Sequence, residues 1–319
     1  MQPVTSTGGL SAPLFEPHGQ QHRITWPLAM PLVVFACFLI GQMLAVVPMV
    51  ELGLIDRDSF ETYPNILYTL GATFSASLCL VLLWVKFFER RSLASIGLSC
   101  VPGTPKKLLH GYLTGIGMAT FIVGAIYLAG GYRLEQPTLT QAMSLLPVLL
   151  LLLTFSVQSF TEEIIFRGYL FSRFTERYGL WTGIAVNAIL FTLIHLPGFD
   201  FDSRSLLTLV LFAFMTLVFS VYLSLKVIET GSIWFSCAWH AGWNWLFICG
   251  FGLPTTGIAL DIRPLVLDLG LDSQASTWLT GGIGGPEDSV ITSILLTLMC
   301  LLGIYRCLNK TRRAAVAGH

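Results

Sequence analysis

The chain has 319 residues, 54% of them hydrophobic and only 11% charged, with zero formal net charge. Soluble domains carry about 25% charged residues, so this composition excludes an ordinary soluble protein and predicts an all-α, polytopic membrane helix bundle. The balanced charge and a sequence pI near 7.0 remove any bulk electrostatic case for binding nucleic acid.

Residues 1–25 begin with a polar stretch rich in Gly, Pro, Ser and Gln and are expected to form a disordered tail. They lack the short apolar core and small-residue cleavage site of a signal peptide. A bilayer span takes about 20 apolar residues, and eight apolar runs follow: 26–50, 66–88, 108–130, 145–171, 180–196, 206–228, 233–251 and 290–307. The chain divides accordingly into N-terminal membrane helices (26–140), a core carrying the unusual polar residues (141–252), a Gly/Pro-rich outer loop (253–289), and a last helix with a basic tail (290–319). The seven cysteines are scattered, mostly within apolar runs, and read as small apolar side chains.

Lys and Arg concentrate in alternate connections, which predicts both termini on the cytoplasmic side. One set holds Lys86, Arg90, Arg91, Lys106, Lys107, Arg167, Arg173, Arg177, Lys226, Arg306, Lys310, Arg312 and Arg313, and the other only Arg57, Arg133, Arg204 and Arg263. The outer loop contains Leu253-Pro254-Thr255-Thr256-Gly257, a sortase-type sorting pattern. Such a signal belongs on an exported soluble protein, so the match is read as accidental.

Ionisable residues inside a span cost at least about 2.5–3.5 kcal/mol at its centre and default to functional candidates. The fourth run contains Glu162-Glu163-Ile164-Ile165-Phe166-Arg167-Gly168. Glu163 and Arg167 are four apart and can pair as a brace, whereas Glu162 points elsewhere and has no partner in the local sequence. The fifth run ends in Phe191-Thr192-Leu193-Ile194-His195, with Phe191 one turn before the imidazole. Asn187, two turns before His195, reads as a hydrogen-bonding link between helices. The seventh run contains His240-Ala241-Gly242-Trp243-Asn244, placing two hydrogen-bond donors on one face.

Counted at 1.5 Å per residue from the inner ends of their helices, Glu162, His195, His240 and Asn244 lie roughly 16, 22, 12 and 18 Å deep. Three helices therefore place their polar residues in one layer, which predicts a single site. A carboxylate, a histidine and a His/Asn donor pair suffice for water attack on an amide. The same residue types, Glu162, His195 and His240, could instead hold zinc with an open position for water. Residue types alone leave both readings open.

Taken together, Glu162-Glu163-x-x-x-Arg167-Gly168, Phe191-x-x-x-His195 and His240-x-x-x-Asn244 resemble the motifs of the CPBP family, the CAAX-protease and bacteriocin-processing (Abi) enzymes. Arg91-Ser92-Leu93-Ala94-Ser95-Ile96-Gly97-Leu98 also resembles the family segment that precedes this core. The resemblance implies an intramembrane endopeptidase with a cavity open toward the cytoplasm. By motif position it implies Glu162 as base with His195, and His240 with Asn244 as oxyanion hole. Glu163 and Arg167 would support them, with no metal required. The expected partners are the lipid bilayer and a membrane-associated peptide or protein substrate, in a prokaryotic plasma membrane. Two alternatives stand beside it: an ion- or proton-coupled transporter relaying protons through these groups, and a non-catalytic immunity or scaffold protein on the same fold.

Overall fold

A computed structural model describes Phe15 and residues 23–99, 102–136, 145–196 and 205–317. Its long helices are α1 (Met30–Glu51), α2 (Asn65–Leu83), α3 (Thr104–Leu128), α4 (Leu145–Glu163), α6 (Leu180–His195), α7 (Leu206–Thr230), α8 (Trp234–Phe251) and α10 (Val290–Ala317). A π-helical turn, Trp84–Phe88, extends α2, and a longer one, Ile164–Phe171, joins α4 to the short α5 (Ser172–Tyr178). Each of the eight apolar runs thus becomes a helix. Among the described residues, six helices are long and apolar enough to cross a membrane: Pro27–Glu51, Asn65–Phe88, Thr104–Leu128, Leu145–Tyr178, Leu206–Thr230 and Val290–Asn309. The protein is an integral membrane helix bundle. The expected eight spans therefore become six: the fifth run falls short because α6 has 16 residues, about 24 Å at 1.5 Å each against a hydrocarbon core of about 30 Å, and the seventh, the 18-residue α8, is not among them either.

Large apolar side chains such as Leu32, Phe35, Leu113, Leu149 and Leu153 are exposed, as lipid-facing residues are. The α8 helix is the opposite case. Nearly every residue from Phe235 to Phe251 is buried, and the helix packs mainly against α3 and α4. A helix enclosed by protein can carry His240 and Asn244 because neighbouring side chains replace the water that lipid cannot supply.

Small residues on α3 bring α8 close. A Cβ on Gly111 would overlap the carbonyl oxygen of Phe235, and one on Gly115 the carbonyl of Trp239. This small-xxx-small spacing lets two backbones touch and sets the position of the helix that bears His240. Gly115→Leu is expected to destabilise the fold by about 1–3 kcal/mol through overpacking. Gly117→Leu, whose added Cβ would meet nothing within 4 Å, serves as control. Equal thermal unfolding midpoints for the two variants in detergent would contradict this account of the contact.

Several expectations change in the folded chain. Among residues 1–25, Phe15 packs against the main core rather than standing free, while most of that tail, Arg204 and the side chains of Lys310, Arg312 and Arg313 lie outside the described residues. Arg167 and Arg91, counted as loop charges, are 0% and 5% exposed, because each is held by a carboxylate. Arg91 pairs with Glu89 at 3.1 Å, and Glu89 also accepts from Tyr169 at 3.0 Å, which ties the 91–98 segment to the π-helical turn after α4.

The 253–289 segment is ordered rather than a featureless loop. It contains β2 (Asp268–Leu271), paired antiparallel with β1 (Tyr132–Gln136) in the register Tyr132↔Leu271 and Arg133↔Gly270, and the short α9 (Thr277–Thr280). Glu287, 4% exposed, gathers it. Its Oε2 accepts from Thr255 Oγ1 (2.8 Å), Thr256 N (2.7 Å) and Thr256 Oγ1 (3.1 Å), and its Oε1 accepts from Trp243 Nε1 on α8 (2.7 Å). The Leu253–Gly257 pattern is therefore folded into this cap, with Thr255 only 1% exposed.

Candidate active site

The four residues singled out in the polar layer meet in space. Glu162 lies in the last turn of α4, His195 at the end of α6, and His240 and Asn244 one turn apart on α8. Glu162 Oε2 is 3.9 Å from His195 Nε2 and 3.9 Å from His240 Nε2. That oxygen is buried and has no hydrogen-bond partner among the described residues.

The far side of each ring sets what its near side offers. His195 Nδ1 lies 2.7 Å from the Phe191 carbonyl oxygen, which can only accept, so Nδ1 carries a proton. In the neutral ring Nε2 then presents a lone pair toward Glu162. His240 Nδ1 lies 3.0 Å from Glu163 Oε1, the oxygen that also accepts from Arg167 Nη1 at 3.0 Å. With that carboxylate ionised beside Arg167, His240 Nδ1 donates to it, and Nε2 donates as well only when the ring is an imidazolium.

The π-helical turn begins at Ile164, immediately after the two glutamates, at a place where such turns recur in functional sites. Arg167 within it reaches back to Glu163, and both side chains are fully buried. The guanidinium also lies 4.4 Å from the centre of the Phe191 ring. Phe191 in turn sits 4.4 Å from the His195 ring, and Phe219 on α7 packs edge-on against His240 at 4.9 Å. Arg167 therefore braces both histidines, one through Glu163 and the other through Phe191. Asn187 lies apart from this group and donates to Ser224 (3.2 Å) and Ser220 (3.4 Å) on α7, the link between helices expected of it.

One polar member was not singled out in the sequence. Gln158, one turn before Glu162, donates from Nε2 to Glu162 Oε1 at 2.7 Å, so Glu162 does have a local partner after all. Gln158 Oε1 accepts from Asn244 Nδ2 at 3.0 Å and from Ser159 Oγ at 2.9 Å. The available signal was an amide i−4 from a glutamate inside an apolar span, the same spacing already read for Glu163 and Arg167.

Residues 144–246 match the family model described as type II CAAX prenyl endopeptidase Rce1-like, in agreement with the CPBP resemblance of the three motifs. No curated protein matches the chain. The family match covers all the residues of the site and supports a CAAX-type intramembrane protease in general terms.

Proposed function

Taking that CAAX-type match as premise, we propose that the chain is an intramembrane endopeptidase in which Glu162 and His195 activate a water molecule, and His240 and Asn244 stabilise the oxyanion. The observation that carries the reading is the partnerless Glu162 Oε2 facing two imidazole nitrogens at 3.9 Å. Two acceptors at that spacing are bridged by one water through two hydrogen bonds of about 2.8 Å each. Such a water keeps a lone pair for a peptide carbonyl. As it attacks, its proton passes to Glu162, which later delivers it to the departing amine. The negative charge on the carbonyl oxygen meets His240 Nε2–H, available in the imidazolium form, and the Asn244 amide. The substrate would be a peptide or protein held at the membrane, and a prenylated C-terminal CAAX peptide is the class to test first.

Glu162, His195 and His240 match a zinc site in residue type, although among the described residues no three His, Cys, Asp or Glu side chains form a group that could hold a metal ion. In the glutamate-centred reading, stripping metal by prolonged dialysis against a chelator is expected to leave turnover within about twofold of its starting value. Loss of turnover that added zinc restores would assign these three residues as ligands instead.

The broader test is peptidomics of membranes containing wild type, Glu162→Ala or His240→Ala at matched abundance. Peptides or shortened proteins present only with wild type are expected. Identical inventories, with the variants correctly inserted, would transfer weight to the transporter or scaffold reading.

A further inference from the structure

We infer that Gln158 is a positioning residue of this site, which orients the Asn244 amide and holds the non-reacting oxygen of Glu162. The inference rests on the peptidase reading above and extends it to a residue outside the three motifs. Gln158 is 9% exposed and makes three hydrogen bonds, to Glu162, Asn244 and Ser159.

The direction of these bonds is determined by charge. A carboxylate oxygen only accepts, so Gln158 must turn its nitrogen toward Glu162 Oε1. Its carbonyl oxygen then points the other way, toward Ser159 and Asn244, where it demands donors. Asn244 must answer with Nδ2 rather than Oδ1. An asparagine amide nitrogen carries two protons, so one is spent on Gln158 and the second remains to donate. The negative charge of Glu162 thus propagates through one amide to set the polarity of the next. With Asn244 reversed, its oxygen would replace the nitrogen and repel a developing oxyanion.

The same contact divides the labour within Glu162. Oε1 is engaged at 2.7 Å by Gln158, while Oε2 faces the two histidines. Rotation of the carboxyl group would exchange these roles, and the amide opposes it. Gln158 also joins α4 to α8, so the base and the oxyanion donor move as one unit. Pre-organisation of this kind acts on the transition state more than on substrate binding.

A plain interhelical hydrogen bond would look alike in the structure but behave differently in kinetics. Steady-state turnover of a prenylated CAAX-peptide reporter by the full-length protein in detergent, with thermal unfolding measured in parallel, separates them. Gln158→Met keeps the length and removes all three bonds. It is expected to lower kcat by about 10–100-fold with KM within about twofold. In an Asn244→Ala background the same substitution is expected to cost less, since one of the two groups through which it acts is already gone. Gln158→Glu keeps the acceptor for Asn244 and Ser159 but loses the donor to Glu162. Its rate relative to wild type is expected to rise as pH falls, because a protonated carboxyl at that position can donate in place of the amide.

Equal kcat for Gln158→Met and wild type, or a loss that multiplies unchanged in the Asn244→Ala background and tracks a lowered unfolding midpoint, would overturn the inference and leave Gln158 as a brace. Failure of wild type itself to cleave any membrane-anchored peptide would overturn the peptidase reading, and this inference with it.

Discussion

Glu162→Gln is expected to reduce peptide cleavage by about 10²–10⁴-fold, the range general-base catalysis supplies, while leaving protein abundance and unfolding temperature near wild type. The substitution preserves volume and keeps an oxygen available to accept from Gln158 Nε2, now 2.7 Å from Glu162 Oε1. What it removes is the charge and proton affinity at Oε2, the atom 3.9 Å from both histidine rings. The replacement also ends the mutual repulsion of two adjacent carboxylates, so stability has no reason to fall. Turnover of a membrane-anchored reporter peptide at matched enzyme concentration is the measurement. Retention of more than about a tenth of wild-type kcat would remove Glu162 as the base, because no general base contributes so little.

The second large effect concerns stability. Arg167→Ala is expected to destabilise the fold by about 3–5 kcal/mol, since it leaves the Glu163 carboxylate buried without its cation. Both side chains of the pair have 0% exposure, so water cannot substitute for the lost partner. His240 would keep its contact with Glu163 Oε1, but Phe191 would lose the guanidinium at 4.4 Å, and activity should fall along with stability. The double substitution Glu163→Gln/Arg167→Met is expected to recover much of the unfolding midpoint, because removing both charges leaves none unpaired. Turnover should stay low in that double variant, since His240 Nδ1 has lost its ionised partner and Phe191 has lost the guanidinium. A double variant less stable than Arg167→Ala alone would show that the pair does not control this region.

The two predictions draw on information of different kinds. The pairing of Glu163 with Arg167, and the packing of Phe191 on His195, were readable from spacing because residues four apart on a helix share a face. The common layer of Glu162, His195, His240 and Asn244 was readable too, since rise per residue converts sequence position into depth. Gln158 is only half legible, because its bond to Glu162 has helical i,i+4 spacing but its bond to Asn244 reaches 86 residues along the chain. The cap at 253–289 has the sequence of a loop because β2 pairs with β1 across more than 130 residues, and strand pairing leaves little local pattern when each strand is so short.

By itself, the sequence determined that this protein lives in a membrane, where its helices run, and which few polar residues share a depth. Those properties follow from hydropathy and from hydrogen bonds internal to each helix, which every segment satisfies without its neighbours. Only the tertiary structure decided that His240 faces both glutamates, that Gln158 links Glu162 to Asn244, and that Glu287 ties the cap to Trp243. Rotation and spacing of one helix against another are set by side-chain packing, here by Gly111 and Gly115 against the backbone of α8. Such packing is cooperative across the whole bundle, and no local stretch of sequence encodes it alone.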